Sequence, residues 1–305
     1  MRIRTLDELR TTNVLSETVL AFNDGFIPCL TPQSAPNQDF EQILRNKRGL
    51  LSTPDTYCIN VAFHIVRRTN GTGGFNVNQV DDITQVLNDA YNEHGVYFYN
   101  DGVDFINNTV YFDLLVGGVN DELDDLFAIN NASDAINFYL VNQITDDGSG
   151  LEVAGVAEDI TSINLVVGND HALEPTSPHE MGHCLNLYHT HRGSTDCEPS
   201  GCAENINGNN CSTCGDYICD TPADPCLLGK VDGLCQYVGG GGYTPLVNNF
   251  MSYAGGCRSD FTNGQASRMH AALAVSSVLE PVIITNCVVP DISGPDVLCN
   301  SSGIH

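Results

Sequence analysis

Cysteine placement constrains this 305-residue chain most: of its 13 cysteines, 7 fall between Cys197 and Cys235. They sit in a stretch, from about His189 to Gly256, that is rich in Gly, Asn and Asp and has little hydrophobic periodicity. A loop region that long must be held by cross-links, either disulfides or metal ions. Cys211-x-x-Cys214 has no second tight pair to complete a structural zinc knot, so disulfides are the better reading, with Cys257 as an eighth member. Connectivity does not follow from spacing. Dense cysteines point to an oxidising compartment, so a secreted or extracellular protein is expected, although residues 1–20 carry no apolar signal-peptide core. The odd count leaves at least one cysteine unpaired within the chain, with Cys29 and Cys299 the main candidates.

Charge narrows the partners. With 12 Lys+Arg against 38 Asp+Glu, the formal net charge is −26. Phosphate neutralisation needs a basic face, so nucleic acid is excluded as a partner, and docking on anionic lipid is disfavoured. No apolar run approaches the roughly 18–20 residues of a membrane span. The 42% hydrophobic share is that of a folded chain.

Local patterns suggest organisation. Residues 1–55 read as an N-terminal extension and candidate pro-segment. Tyr57, Ile59, Val61, Phe63 and Ile65 alternate as a strand does. Val80, Ile83, Val86, Leu87, Ala90 and Tyr91 recur at helical spacing, with Asn78 as candidate N-cap and Gly95 just past the end. Further strands are expected at 109–116, 136–142 and 163–167. Alternating strands and helices favour an α/β layer with a mixed sheet. Thr262 and Gln265 form a capping box for a helix carrying Met269, Ala272, Leu273 and Val278. Residues 287–305 read either as a linker with the opening of an Ig-like module or as a frayed tail.

Residues 179–189, HEMGHCLNLYH, carry the chemistry. His179 and His183 are four apart, so on a helix they share a face and can hold one zinc ion. Glu180 beside them can serve as general base toward a zinc-activated water. Ser177 or Thr176 is a candidate cap, with Pro178 at the first helical position. His189 supplies a third ligand if the helix breaks near Asn186, a residue that tolerates the left-handed conformation. Glu198 and Glu204, the rivals for that role, lie outside any helical pattern. His191 is read as a surface or supporting residue, Cys184 as a packed thiol or disulfide partner, and His64 and His94 as structural.

The extended pattern His179-Glu180-x-x-His183-x-x-Asn186-x-x-His189 resembles that of the metzincin metallopeptidases, with Asn186 where glycine is usual. NFMSY at 249–253 fits the methionine turn, with Met251 under the metal and Tyr253 as the tyrosine that supports the transition state. GDYICDTP at 215–222, NNFMSYAGGC at 248–257 and FTNGQASRM at 261–269 narrow the resemblance to the pappalysin family, most closely its cytophagalysin-like branch.

The resemblance implies an α/β (α+β) metzincin fold. An upper subdomain, 56–187, would hold a twisted mixed sheet and two helices. An irregular disulfide-rich lower subdomain, 188–286, would carry Met251 and the C-terminal helix. It implies a zinc endopeptidase that takes a protein or peptide substrate paired to an edge strand, with Glu180 as base and Tyr253 at the oxyanion. Relatives carry calcium near the methionine turn. Of Asp216, Asp220, Asp224 and Asp232, Asp220 is the best candidate Ca²⁺ ligand, plain surface acidity being the alternative. Some metzincin pro-segments block zinc with a cysteine, which makes Cys29 a candidate latency thiol. Its flanks, FIPCLTP, do not match the Arg-x-Cys-Gly pattern, and a disulfide to Cys58 or a free thiol are the alternatives. Two other functions remain open: zinc hydrolysis of a non-peptide bond, and an inactive binding module on the same fold.

Overall fold

The alternating run at Tyr57 becomes the central strand of the computed structural model, which describes residues 26–34, 36–48, 56–199, 201–285 and 287. Much of the expected extension, and the C-terminal linker with Cys299, lie outside the described residues. A two-residue strand β1 (Phe26–Ile27) and helix α1 (Gln38–Arg48) precede the central strand β2 (Tyr57–Arg67). Helix α2 (Val80–Tyr91) leads into strand β3 (Val96–Asn107), which pairs with β2 in parallel. On its other side β2 pairs in parallel with β5 (Ile136–Val141), and β5 with β9 (Asn164–Gly168). Strand β8 (Gly155–Ala157) closes that edge antiparallel to β9, giving the order β3-β2-β5-β9-β8. A second small sheet, β1-β7-β6-β4, contains β4 (Asp113–Val116), β6 (Gln143–Asp146) and β7 (Glu152–Val153).

Two local expectations need correction. Residues 109–116 are not one strand: the Asn108 side chain accepts from Val110 N and caps a helical turn at Thr109–Phe112, so only 113–116 extend. Asn78 is not the cap of α2; Asn76 caps a preceding 3-10 turn, Val77–Gln79. Strand β3 was not expected at all. Its middle, Asn100-Asp101-Gly102, is polar because this is a sheet edge, and the register skips Asp101 opposite Val61 and Ala62.

The sheet separates two cores. Ile59, Val61, Phe63, Ile65, Phe138 and Leu140 face one side, where α2 buries Val80, Ile83, Leu87 and Tyr91. The alternate residues Val66, Tyr139, Val141 and Val166 face the other. This period-two division explains why β5 is buried along its whole length. Helix α3 (Thr176–Cys184) packs under the sheet, where Tyr91 Oη donates to Pro178 O at 2.7 Å.

Below α3 the chain is irregular until α4 (Asn263–Val275), which opens with the expected Thr262/Gln265 capping box. Disulfides Cys197–Cys226, Cys202–Cys214, Cys211–Cys219 and Cys235–Cys257 staple the irregular part. Cys58–Cys287 ties β2 to the segment after α4, while Cys29 and Cys184 are buried free thiols. The architecture is therefore the expected one: an α/β upper part with two principal helices over a disulfide-rich lower part. No helix among the described residues is long and apolar enough to cross a membrane.

Candidate active site

The site is built where α3 ends. Neither Ser177 nor Thr176 caps this helix. Pro175 occupies the cap position, Thr176 is already helical, and Ser177 Oγ donates to Ala172 O at 2.6 Å. At the other end Asn186 adopts φ +75°, the left-handed turn anticipated from its side chain. Arg268 of α4 fixes the turn, donating from Nε to Asn186 O at 2.7 Å. The chain then doubles back so that His189 faces the helix it has just left.

His179, His183 and His189 converge with their Nε2 atoms 3.1–3.3 Å apart. Their outer nitrogens are already engaged. His179 Nδ1 donates to Phe250 O at 2.7 Å and His183 Nδ1 to Leu187 O at 2.8 Å. His189 Nδ1 lies against the Glu198 carboxylate. These bonds set the tautomers of His179 and His183 so that their Nε2 lone pairs point inward. Tetrahedral ligands at 2.0–2.1 Å from a zinc ion stand about 3.3 Å apart, the spacing seen here. Burial lowers all three pKa values, with like-charge repulsion from neighbouring His and Arg258 adding to it; His189 falls to about 3. Neutral imidazoles are the form a metal requires. The residues present thus fit a zinc ion.

Glu180 is fully buried beside this cluster. Its Oε2 accepts from Thr31 Oγ1 at 2.8 Å, and its Oε1 has no hydrogen-bond partner. Burial pushes its carboxyl up to about 7, against hydrogen bonds from Thr31 and Cys29. Gly155 makes room for it, since a Cβ there would lie 2.7 Å from Glu180 Cγ. Met251 packs on Gly182, where an added Cβ would be 2.5 Å from its Sδ. The Tyr253 ring lies edge-on to His189 at 4.9 Å, and its hydroxyl donates to Cys29 O at 2.9 Å.

Cys29 belongs to this group. Its Sγ lies 3.6 Å from His183 Nε2 and 3.5 Å from Glu180 Oε2, so Cys29 and the three histidines form one potential four-donor set. It makes no disulfide to Cys58. The flanking segment runs beside β8, with Leu30 N donating to Gly155 O and Ala157 N to Thr31 Oγ1. Burial, then the Glu180 charge, pushes the thiol pKa well up.

Several contributors were not foreseen. Of the two readings of His191, the supporting one fits: it is fully buried, stacked on His189 at 4.7 Å. Glu198, considered only as a rival ligand, instead contacts the back of His189. Thr31, Gly155, Gly182 and Arg258, a buried cation whose charge reaches Glu180 and His179, carried no spacing pattern that marked them.

The four aspartates do not converge among the described residues. Asp220 accepts from Thr262 Oγ1 at 2.8 Å and Gly264 N at 2.7 Å, bracing the start of α4. Asp216 accepts from Thr221 and Ile218, Asp224 from Thr190 and Cys226, and Asp232 from Leu234 and Gln236.

A sequence model of the peptidase M43 family, described as pregnancy-associated plasma protein-A, matches residues 131–274, which span α3, the methionine turn and most of α4. Over that segment the chain resembles the pappalysin metallopeptidases. The chain is 29% identical over 242 residues to an extracellular metalloprotease of Sordaria macrospora, covering 72% of this chain and 76% of that one. It is 27% identical over 239 residues to one of Neurospora crassa, with the same shares covered. Metalloproteinase-II of Bacteroides fragilis, a solved structure, aligns at a TM-score of 0.31 and 12% identity, over 52% of this chain and 53% of that one, too slight a likeness to inform the site. These matches support a metalloendopeptidase.

Proposed function

We propose that His179, His183 and His189 hold the zinc, that Glu180 is the general base, and that Cys29 keeps the enzyme latent. The observation that carries this reading is the convergence of three inward Nε2 atoms at 3.1–3.3 Å beside a buried carboxylate. Zinc held there would supply Lewis acidity, polarising a peptide carbonyl and acidifying water.

The chain's own groups do the rest. Glu180 Oε1, the oxygen without a partner, takes the proton of the attacking water and returns it to the leaving amine. Tyr253 donates its hydroxyl to the developing oxyanion once Cys29 O no longer accepts it. Met251 fills the floor and keeps the histidines in place. The edge of β8 would accept an extended peptide by backbone pairing.

In the full chain that place is taken. Residues 27–31 run beside β7 and β8, and the Cys29 thiol reaches the cluster where water would bind. A coordinating metal stabilises thiolate and so offsets the upward push of burial. Residues 1–55 are therefore read as the latency segment, 56–286 as the catalytic domain with subdomains 56–187 and 188–286, and 287–305 as a linker. The five disulfides and the extracellular relatives support a secreted peptidase acting on proteins or peptides.

The test is Glu180→Ala on a Cys29→Ala background. Zinc content should stay at one equivalent at the histidine cluster while cleavage of a peptide library falls by about 10²–10⁴-fold. Undiminished cleavage by the variant would overturn the assignment.

A further inference from the structure

We infer that Glu93, His94 and Asp260 form a second metal site, behind the methionine turn, for a divalent transition-metal ion of the zinc class. The central observation is His94. It closes the 3-10 turn Asn92–His94 that follows α2, and its side chain is only 8% exposed. Its Nε2 is buried and has no hydrogen-bond partner. A buried, unpaired ring nitrogen is costly unless something completes it.

Two carboxylates face that nitrogen. Glu93 Oε1 lies 3.6 Å away and Asp260 Oδ1 3.8 Å away. Both distances are too long for hydrogen bonds. Imidazole and carboxylate donors sharing one tetrahedral ion stand about 3.4 Å apart. Small side-chain adjustments would therefore bring all three into a coordination shell. Asp260 is already oriented, because its Oδ1 accepts from Phe261 N at 2.8 Å.

The three donors border a cavity of about 440 Å³, also lined by Asn248, Asn249 and Thr262, with room for water to complete the shell. Asp220 lines the same cavity, but both its oxygens brace α4, so it is not counted as a ligand. One imidazole among the donors selects zinc-like ions over calcium, which takes an all-oxygen shell.

The site would act as a clamp. It joins the end of α2, in the upper part of the molecule, to the segment leading into α4, in the lower part. Asp260 O accepts from Phe250 N at 2.9 Å, and Phe250 O accepts from His179 Nδ1 at 2.7 Å. An ion on Asp260 would thus stand two hydrogen bonds from a histidine of the catalytic cluster and stiffen the turn beneath it.

The experiment uses the full chain, equilibrated with Zn²⁺ alone, with bound metal measured after dialysis and thermal unfolding followed across a Zn²⁺ titration. The wild type should hold one equivalent more than His94→Gln, and its Tm should go on rising after the histidine cluster is filled. Asp260→Asn keeps the acceptor for Phe261 N, and Glu93→Gln alters an exposed side chain. Both should fold and lose the same equivalent. Equal zinc content and equal Tm response in the wild type and these three variants would overturn the inference, whether no extra zinc binds or it binds across the acidic surface. His179→Gln reads the catalytic cluster separately, so failure there leaves this result legible.

Discussion

Cys29 Sγ lies 3.6 Å from His183 Nε2 although 154 residues separate them. If the thiol blocks the site, Cys29→Ala should make the full-length chain active. The initial rate on a quenched peptide should rise at least about tenfold over the wild type, a difference of about 1.4 kcal/mol or more. Equal rates would remove Cys29 from any role in latency.

Tyr253→Phe deletes one donor and leaves the ring that packs on His189. On the Cys29→Ala background kcat should fall about 10²-fold, with KM and zinc content nearly unchanged. A change confined to KM would mean that the hydroxyl positions substrate and does not stabilise the transition state.

Gly182→Ala places a methyl group 2.5 Å from Met251 Sδ. Such overpacking costs about 1–3 kcal/mol. Urea unfolding should show that loss, and Met251→Ala combined with it should restore part. Strict additivity of the two changes would mean that Met251 does not rest on this glycine.

Glu41 and Arg268 form a fully buried pair that links α1 to the Asn186 turn. Removing one charge of such a pair costs about 3–5 kcal/mol. Glu41→Gln should lower the urea midpoint by a corresponding amount, and Arg268→Met with Glu41→Leu should recover much of it. This places the extension in the stability of the domain as well as over its site.

Asp216 is buried, and its carboxyl is pushed up to about 8, chiefly by desolvation and against hydrogen bonds from Thr221 and Ile218. An unfolded aspartate titrates near 3.9. Between those values the folded chain keeps a proton that the unfolded chain has released, so stability falls as pH rises from about 4 to about 8. Asp216→Asn should flatten that descent and exceed the wild type in stability above pH 8, by at most about 6 kcal/mol. Parallel stability–pH curves for the two proteins would contradict this.

Much of the site was legible because it is local. His179, His183, Asn186 and His189 occupy eleven consecutive positions, and one helix with one left-handed turn determines their geometry. The Thr262/Gln265 cap was equally visible, because capping is a four-residue interaction. Thr31, Gly155, Glu198 and Arg258 were not legible in the same way. They reach the cluster through pairing beside β8 and through disulfide-held loops, and no spacing in the chain encodes those approaches. Strand β3 escaped because a sheet edge tolerates polar residues that erase the alternation. The strand expected at 109–112 failed because Asn108 gave its backbone a stronger local alternative.

Cys29 is the only cysteine before Cys58 and is a free thiol, so among the described residues no disulfide fastens the chain ahead of Cys58 to the remainder, whereas Cys58–Cys287 closes the rest into a ring. If the Cys29 segment blocks the site, its covalent tether is the peptide chain alone, beside the strand pairing of β1 and the buried Glu41–Arg268 pair. A tethered ligand acts at millimolar effective concentration, and a single cut between α1 and β2 turns it into a free peptide whose occupancy falls with dilution. Activation would then turn on breaking one bond and on the dissociation of the contacts that hold β1 and α1.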